Sequence, residues 1–229
     1  MTEPSLAQHE AVAQYSDKQI MTMTRAAHDA TVRILEDIAE HLTPGVTEAE
    51  VRDAAEGVFS RYGIEKHWHR PYIYFGAHTH LTAYDAKPKD IITLGADDIA
   101  YIDIGAVIQV DGVNVEGDVG RTFVFGQRPL FLKLKQTAEE VFQSARDYWH
   151  CHQPTGIELY RYIHRLTEEA GYTFQLQPAG HLIGSFPHLG WKKGLNTYPH
   201  TPEPGIWILE IQMRDPETPY GAFFEEVLL

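Results

Sequence analysis

The chain has 229 residues, 43% of them apolar, and a formal net charge of −13. That balance fits one large globular domain and excludes nucleic acid or an anionic membrane as partner, since both demand basic patches. A single cysteine, Cys151, rules out an internal disulfide framework. Met1–Tyr15 has no basic stretch ahead of an apolar run, and nothing approaches the roughly 18 apolar residues of a membrane span, so a soluble cytoplasmic protein is expected.

Residues 1–15 read as an N-terminal extension ahead of one domain over 16–229. Ser16 with Gln19 forms a capping-box signature, and Ile20, Met23, Ala27, Ala30, Ile34, Ile38 and Leu42 recur at helical spacing until Pro44-Gly45. Thr47 with Glu50 is a second capping box, opening a helix through Val51, Ala54, Ala55 and Val58 to Gly63. Tyr72-Ile73-Tyr74-Phe75 reads as strand, with further strands expected between residues 99 and 126. A long helix should follow from Pro129 to about Trp149. Pro154-Thr155-Gly156-Ile157-Glu158 then echoes Pro44-Gly45-Val46-Thr47-Glu48, and its helix ends at Gly171 as the earlier one ends at Gly63. Two helix–helix–sheet units in tandem predict an α+β domain with an internal pseudo-twofold.

Ile102 to Val110 runs into Asp111-Gly112, a strong two-residue hairpin signal. Such a turn pairs Val110 with Val113 and places Asp118 opposite Gly105, with Asp103 on the same face two residues along. Side chains on that diagonal can converge on metals, and Gly105 is expected to leave the room they need. Gly180-His181-Leu182-Ile183-Gly184 sets an imidazole between two glycines, and His188 follows after Pro187. Glu210 interrupts an apolar strand, Ile206 to Met213, and Glu225 and Glu226 follow Phe223-Phe224. Only one of that last pair can point inward, and strand parity alone does not choose. Four carboxylates buried together are costly unless cations neutralise them, and two divalent ions cancel four negative charges. His67-Trp68-His69 offers two imidazoles on one strand face, a possible metal pair, but reads first as an exposed loop or substrate-rim feature, and His150-Cys151-His152 as a helix end.

On Asp103, Asp118 ahead of Arg121-Thr122-Phe123, Gly180-His181-Leu182-Ile183-Gly184, Glu210 and Glu225, the chain resembles the M24-type pita-bread metallohydrolases. These include methionine aminopeptidase, prolidase, aminopeptidase P and creatinase, and Arg121-Thr122 resembles the Xaa-Pro peptidase branch most. The resemblance covers the chain from about residue 18 onward. It implies two pseudo-symmetric halves around a curved, mostly antiparallel sheet. It also implies a centre with Asp103 chelating one metal, Asp118 and Glu225 bridging, and His181 and Glu210 on the other. Glu225 is preferred to Glu226 because the family's ligand follows an apolar residue and precedes an acidic one. Two divalent ions are implied, manganese or cobalt first, with iron or zinc as alternatives.

The same resemblance implies hydrolysis by a metal-bridging hydroxide, with Glu210 shuttling a proton and His188 touching the substrate carbonyl or oxyanion. The sequence departs from the family pattern at four places. The two aspartates lie four residues further apart than usual, Glu210 is followed by Ile211 and His188 by Leu189. The loop histidine expected before the first aspartate aligns near Ala83-Tyr84, leaving His78 and His80 as out-of-register substitutes; His80 is taken as the substrate-side residue. The leading expectation is an Xaa-Pro aminopeptidase or dipeptidase acting on short peptides, compatible with a homodimer. The alternatives are a creatinase-like hydrolase of a non-peptide C–N bond on a small molecule, and an inactive peptide-binding member of the fold.

Overall fold

Side-chain caps fix where most helices begin. Ser16 caps α1 (Asp17–Ala39) and Thr47 caps α2 (Glu48–Arg61), each through a complete capping box. Helix α3 (Pro129–His152) opens on a proline, whose missing N–H costs nothing in the first turn. Thr155 caps α4 (Gly156–Glu169) with Glu158 at the third helical position. The counterpart of Thr47 and Glu50 is therefore Thr155 and Glu158, so the echo between the halves holds, but not in the register that aligns Pro154 with Pro44. Helix α1 also stops at Ala39, short of Leu42. There the chain tightens, with His41 N–H donating to the Ile38 carbonyl and Leu42 N–H to that of Ala39.

The computed structural model describes residues 16–176, 178–184 and 194–229. The extension over 1–15 lies outside the described residues, as does His188. The strands are β1 (His67–Phe75), β2 (Ile99–Val110), β3 (Val113–Val124), β4 (Thr173–Phe174), β5 (Ile208–Arg214) and β6 (Gly221–Val227). They form one antiparallel sheet in the order β1-β2-β3-β6-β5-β4. Strand β1 starts five residues before Tyr72, in a stretch whose polar residues hide its extended character.

Asp111 and Gly112 both take positive φ, 50° and 82°, the primed turn that matches strand twist. The expected register follows: Val110 faces Val113, Gly105 faces Asp118 and Asp103 faces Gly120. The two halves meet where β3 pairs with β6 at Gly120 and Glu225.

Each half has its own apolar core on the helix-covered face. Ile102, Ile104 and Val119 pack with Ile34, Ile38, Val51 and Val58 of α1 and α2. Leu209, Ile211, Met213 and Phe224 pack with Phe142, Ala145, Leu159 and Ile163 of α3 and α4. Because successive strand residues alternate in direction, Asp103, Asp118, Glu210 and Glu225 are forced onto the opposite face. No described helix is long and apolar enough to cross a membrane.

Candidate metal centre

The pairing of the strands builds the centre. Asp103 on β2 faces Gly120 on β3, Gly120 faces Glu225 on β6, and Glu225 faces Glu210 on β5. One line across four strands thus carries three carboxylates, with Asp118 two residues along β3 on the same face. Gly120 has to lack a side chain: a Cβ there would lie 2.2 Å from the Phe223 ring and 3.2 Å from Glu225 Cβ. Glu226 turns to the helix face and pairs with Arg121, while Glu225, 1% exposed, turns inward, so the choice parity left open falls on Glu225.

His181 arrives from the segment after β4, which lies along β5: Ile208 N–H donates to the His181 carbonyl at 2.8 Å and Glu210 N–H to that of Ala179 at 3.2 Å. Gly180, at φ 142°, permits this approach, since a Cβ would sit 2.1 Å from the Ile208 carbonyl oxygen. His181 Nδ1 donates to the Leu182 carbonyl at 2.9 Å. That fixes Nε2 at 3.2 Å from Asp118 Oδ2, 3.6 Å from Glu225 Oε1 and 3.9 Å from Glu210 Oε1. Buried Glu116 holds the end of the segment, donating its backbone N–H to the Gly184 carbonyl at 2.8 Å and accepting from the Gly184 N–H through Oε2 at 3.0 Å.

Sequence reasoning set aside two side chains that join the cluster, Trp68 and His69. Trp68 Nε1 donates to Asp118 Oδ2 at 2.9 Å, and His69 Nε2 lies 3.0 Å from Asp118 Oδ1 and 3.4 Å from Asp103 Oδ1. His69 is therefore neither a loop nor a rim residue. It also does not act with His67, which packs edge-on against Phe59 and reaches toward Glu56. The pairing of β1 with β2 shifts register on both sides of His69, and that irregularity breaks the simple alternation that would have put both imidazoles on one face. The reading of Gly105 changes as well. A Cβ there would lie 2.2 Å from the Trp68 ring and 2.3 Å from the His69 ring, so its missing side chain makes room for those rings and not for ions. The signal that could have found them is Gly105 itself, a bare position beside a strand carrying two large rings.

Expected substrate-side positions fare differently. His80 sits in the 3-10 turn Gly76–His80 with Nδ1 against the Ala77 carbonyl, and it forms no ion pair with the cluster. His78 is buried against Glu48 at 2.9 Å and also faces Asp90. Among the described residues, neither imidazole forms an ion pair with Asp103, Asp118, Glu210 or Glu225. Tyr84 stands nearer: its phenol is held above the ordinary tyrosine value by partial desolvation and then by the Glu210 charge.

Crowding four acids and two imidazoles shifts each of them. Burial pushes Asp103 up to about 7, only partly countered by His69. Asp118 resists burial because His69 and His181 flank it, and it falls to about 2. Burial opposes the charged form of both imidazoles, but Asp103 and Asp118 beside His69, and Asp118 and Glu210 beside His181, raise each to about 10. Burial raises Glu210 and, with Asp118 and Asp103 adding repulsion, drives Glu225 well above the carboxylate range. Protons thus do the neutralising that cations can do.

The family model for metallopeptidase family M24 matches residues 22–229. The chain belongs to metallopeptidase family M24. No curated protein matches it. The fold is the family's pita-bread fold, shared with the prolidase from Pyrococcus horikoshii OT3 at a TM-score of 0.75 and 22% identity, over 92% of this chain and 58% of that one. The X-Pro aminopeptidase from Thermotoga maritima MSB8 superposes at 0.69 and 18% identity, over 92% and 58%. A histidine-to-alanine variant of Escherichia coli aminopeptidase P gives 0.71 and 17%, over 92% and 52%. The chain therefore spans somewhat more than half the length of each of these structures.

M24 proteins typically bind divalent metals, and the residues here fit such ions. Asp103 Oδ1, Glu210 Oε2 and Glu225 Oε2 are buried acceptors with no hydrogen-bond partner, a costly state that a cation relieves. Ligand atoms of His69, Asp103 and Asp118 lie within 4.8 Å of one another, as do those of Asp118, His181 and Glu225. Asp118 belongs to both groups.

Proposed function

We propose that the chain is a dinuclear-metal-dependent hydrolase, an Xaa-Pro exopeptidase for short peptides, with residues 16–229 as its catalytic unit. The observation that carries this reading is Asp118, buried and shared between two adjoining ligand groups. Asp103 would hold one ion, His181 and Glu210 the other, and Asp118 and Glu225 would span both. Manganese or cobalt suits these mostly oxygen donors.

When bound, such ions polarise a carbonyl and lower the pKa of water. The chain's own residues do the rest. Glu210, whose Oε2 has no other partner, holds a proton and passes it to the leaving nitrogen. Trp68 fixes the rotamer of Asp118 through its indole N–H, and the Glu116 clamp on Gly184 keeps His181 in place. His188 donates to the developing oxyanion, so His188→Ala should keep metal content and lower turnover on the order of 100-fold.

Protein loaded with manganese or cobalt and offered a panel of Xaa-Pro and non-proline dipeptides should release proline from the Xaa-Pro members. A panel left intact by protein carrying two ions per chain would overturn the peptidase reading. One observation favours a second reading, hydrolysis of a non-peptide C–N bond. The segment that should supply a substrate-side histidine instead presents Tyr84, while Leu81 is tied down by Tyr101 and Gln212. Small guanidino and amide compounds in the same assay separate the two.

A further inference from the structure

We propose that His69 is a direct ligand of the ion on the Asp103 side, so that each ion carries one imidazole. This rests on the dinuclear reading above and adds a donor that the family resemblance does not supply.

Both histidines are mounted in the same way. His69 Nδ1 lies 2.8 Å from the Arg70 carbonyl and His181 Nδ1 lies 2.9 Å from the Leu182 carbonyl. A carbonyl can only accept, so each Nδ1 carries the hydrogen and each Nε2 is aimed at acid groups. This is the way ligating imidazoles are oriented, with the second nitrogen fixed by a backbone oxygen. The two Nε2 atoms close on opposite oxygens of one carboxylate, His69 on Asp118 Oδ1 and His181 on Asp118 Oδ2.

A role limited to hydrogen bonding explains less. Asp118 Oδ2 already accepts from Trp68, and His69 Nε2, hydrogen-bonded to Asp118 Oδ1 at 3.0 Å, also faces Asp103 Oδ1 at 3.4 Å. Asp103 Oδ1, only 3.4 Å from that nitrogen, still has no hydrogen-bond partner. In the metal-free protein a proton on Nε2 meets these two carboxylates, and a cation held among the three groups would take that proton's place, with the Nε2 lone pair turned to the ion. The backbone irregularities on both sides of His69 and the bare Gly105 opposite are what let the ring enter. With nitrogen on both ions, the centre should favour cobalt or zinc over manganese more strongly than an oxygen-rich site with one imidazole.

The test is a cobalt(II) titration of metal-free wild type, His69→Ala, His69→Gln and His181→Ala, followed by calorimetry and visible absorption. Wild type should take up two ions. His69→Ala should keep one and bind the second on the order of 100-fold more weakly, with an altered absorption band, and His69→Gln should not restore it. His181→Ala should weaken the other ion. Proton NMR of dicobalt wild type, which needs no variant to fold, should show two exchangeable, hyperfine-shifted imidazole N–H signals. One such signal, unchanged affinity in His69→Ala, or full rescue by His69→Gln would reduce His69 to a positioning residue and overturn the inference. Wild type unable to hold two ions would instead overturn the dinuclear reading itself.

Discussion

In the C-terminal half, Glu210 and Glu225 face each other directly across β5 and β6; in the N-terminal half, Asp103 faces Gly120, and the second carboxylate, Asp118, is set two residues along β3. The pseudo-twofold makes Gly120 the counterpart of Glu225, since the two face each other where the halves join. A carboxylate at both positions would line four acids in a single row. Moving one of them by two residues spreads the charge along the strand and creates two adjoining ligand groups that share Asp118. Each half also lends one imidazole from its outer side, His69 from β1 and His181 from the segment after β4. The lesson is that one duplicated fold produces a paired site only because its halves are not chemically identical.

The strongest way to break this comparison is Asp118→Ala, which removes the shared residue. Both ions and all detectable hydrolysis should be lost, and two ions retained by elemental analysis would refute the sharing. Next come the half-specific variants. Asp103→Ala should lose the ion on the β2 side and Glu210→Ala the one on the β5 side, each leaving about one equivalent. Identical metal loss in the two would show that the halves do not act separately.

Gly120→Val probes the asymmetry at the central junction. Its side chain would invade the Phe223 ring, and a destabilisation of about 1–3 kcal/mol in denaturant is expected. A neutral result would mean that the bare position is not required.

The smallest effect concerns pH. In the metal-free protein Asp103 is raised from 3.8 to about 7, and His69 and His181 from 6.5 to about 10. Raised folded-state values mean that the folded form holds those protons more tightly. The Asp103 contribution is complete below 3.8 and lost as pH rises through about 7, and the imidazole contributions are complete below 6.5 and lost through about 10. Asp118, lowered to about 2, loses its contribution only in strong acid. Melting temperature in chelator should therefore fall between about pH 5 and 9, while the stabilisation gained on adding cobalt grows. A flat profile in chelator would argue against protons standing in for cations.

Much of this was legible in advance because the signals are local. A capping box occupies four residues, so Ser16 with Gln19 and Thr47 with Glu50 announced two helices correctly. Asp111-Gly112 fixed the β2–β3 register, and with it Asp103 and Asp118 on one face. Glu225 over Glu226 needed the strand's orientation against β3, which no short window contains. The second helix pair echoes the first in register at Thr47 and Thr155, the residues that cap, and not at Pro44 and Pro154, which lie at different distances from those caps.

By itself, then, the sequence determined the elements, the hairpin register and the set of acids that cannot be buried without counter-charge, all consequences of backbone geometry within a few residues or of the cost of desolvation. Only the tertiary structure decided which imidazole stands beside which carboxylate. Strand β1 reaches β2 across more than twenty intervening residues, and its irregular pairing turns His69 inward while His67 goes elsewhere. Which face a side chain takes depends on the pairing of two distant strands, and a single shift in that pairing reverses it.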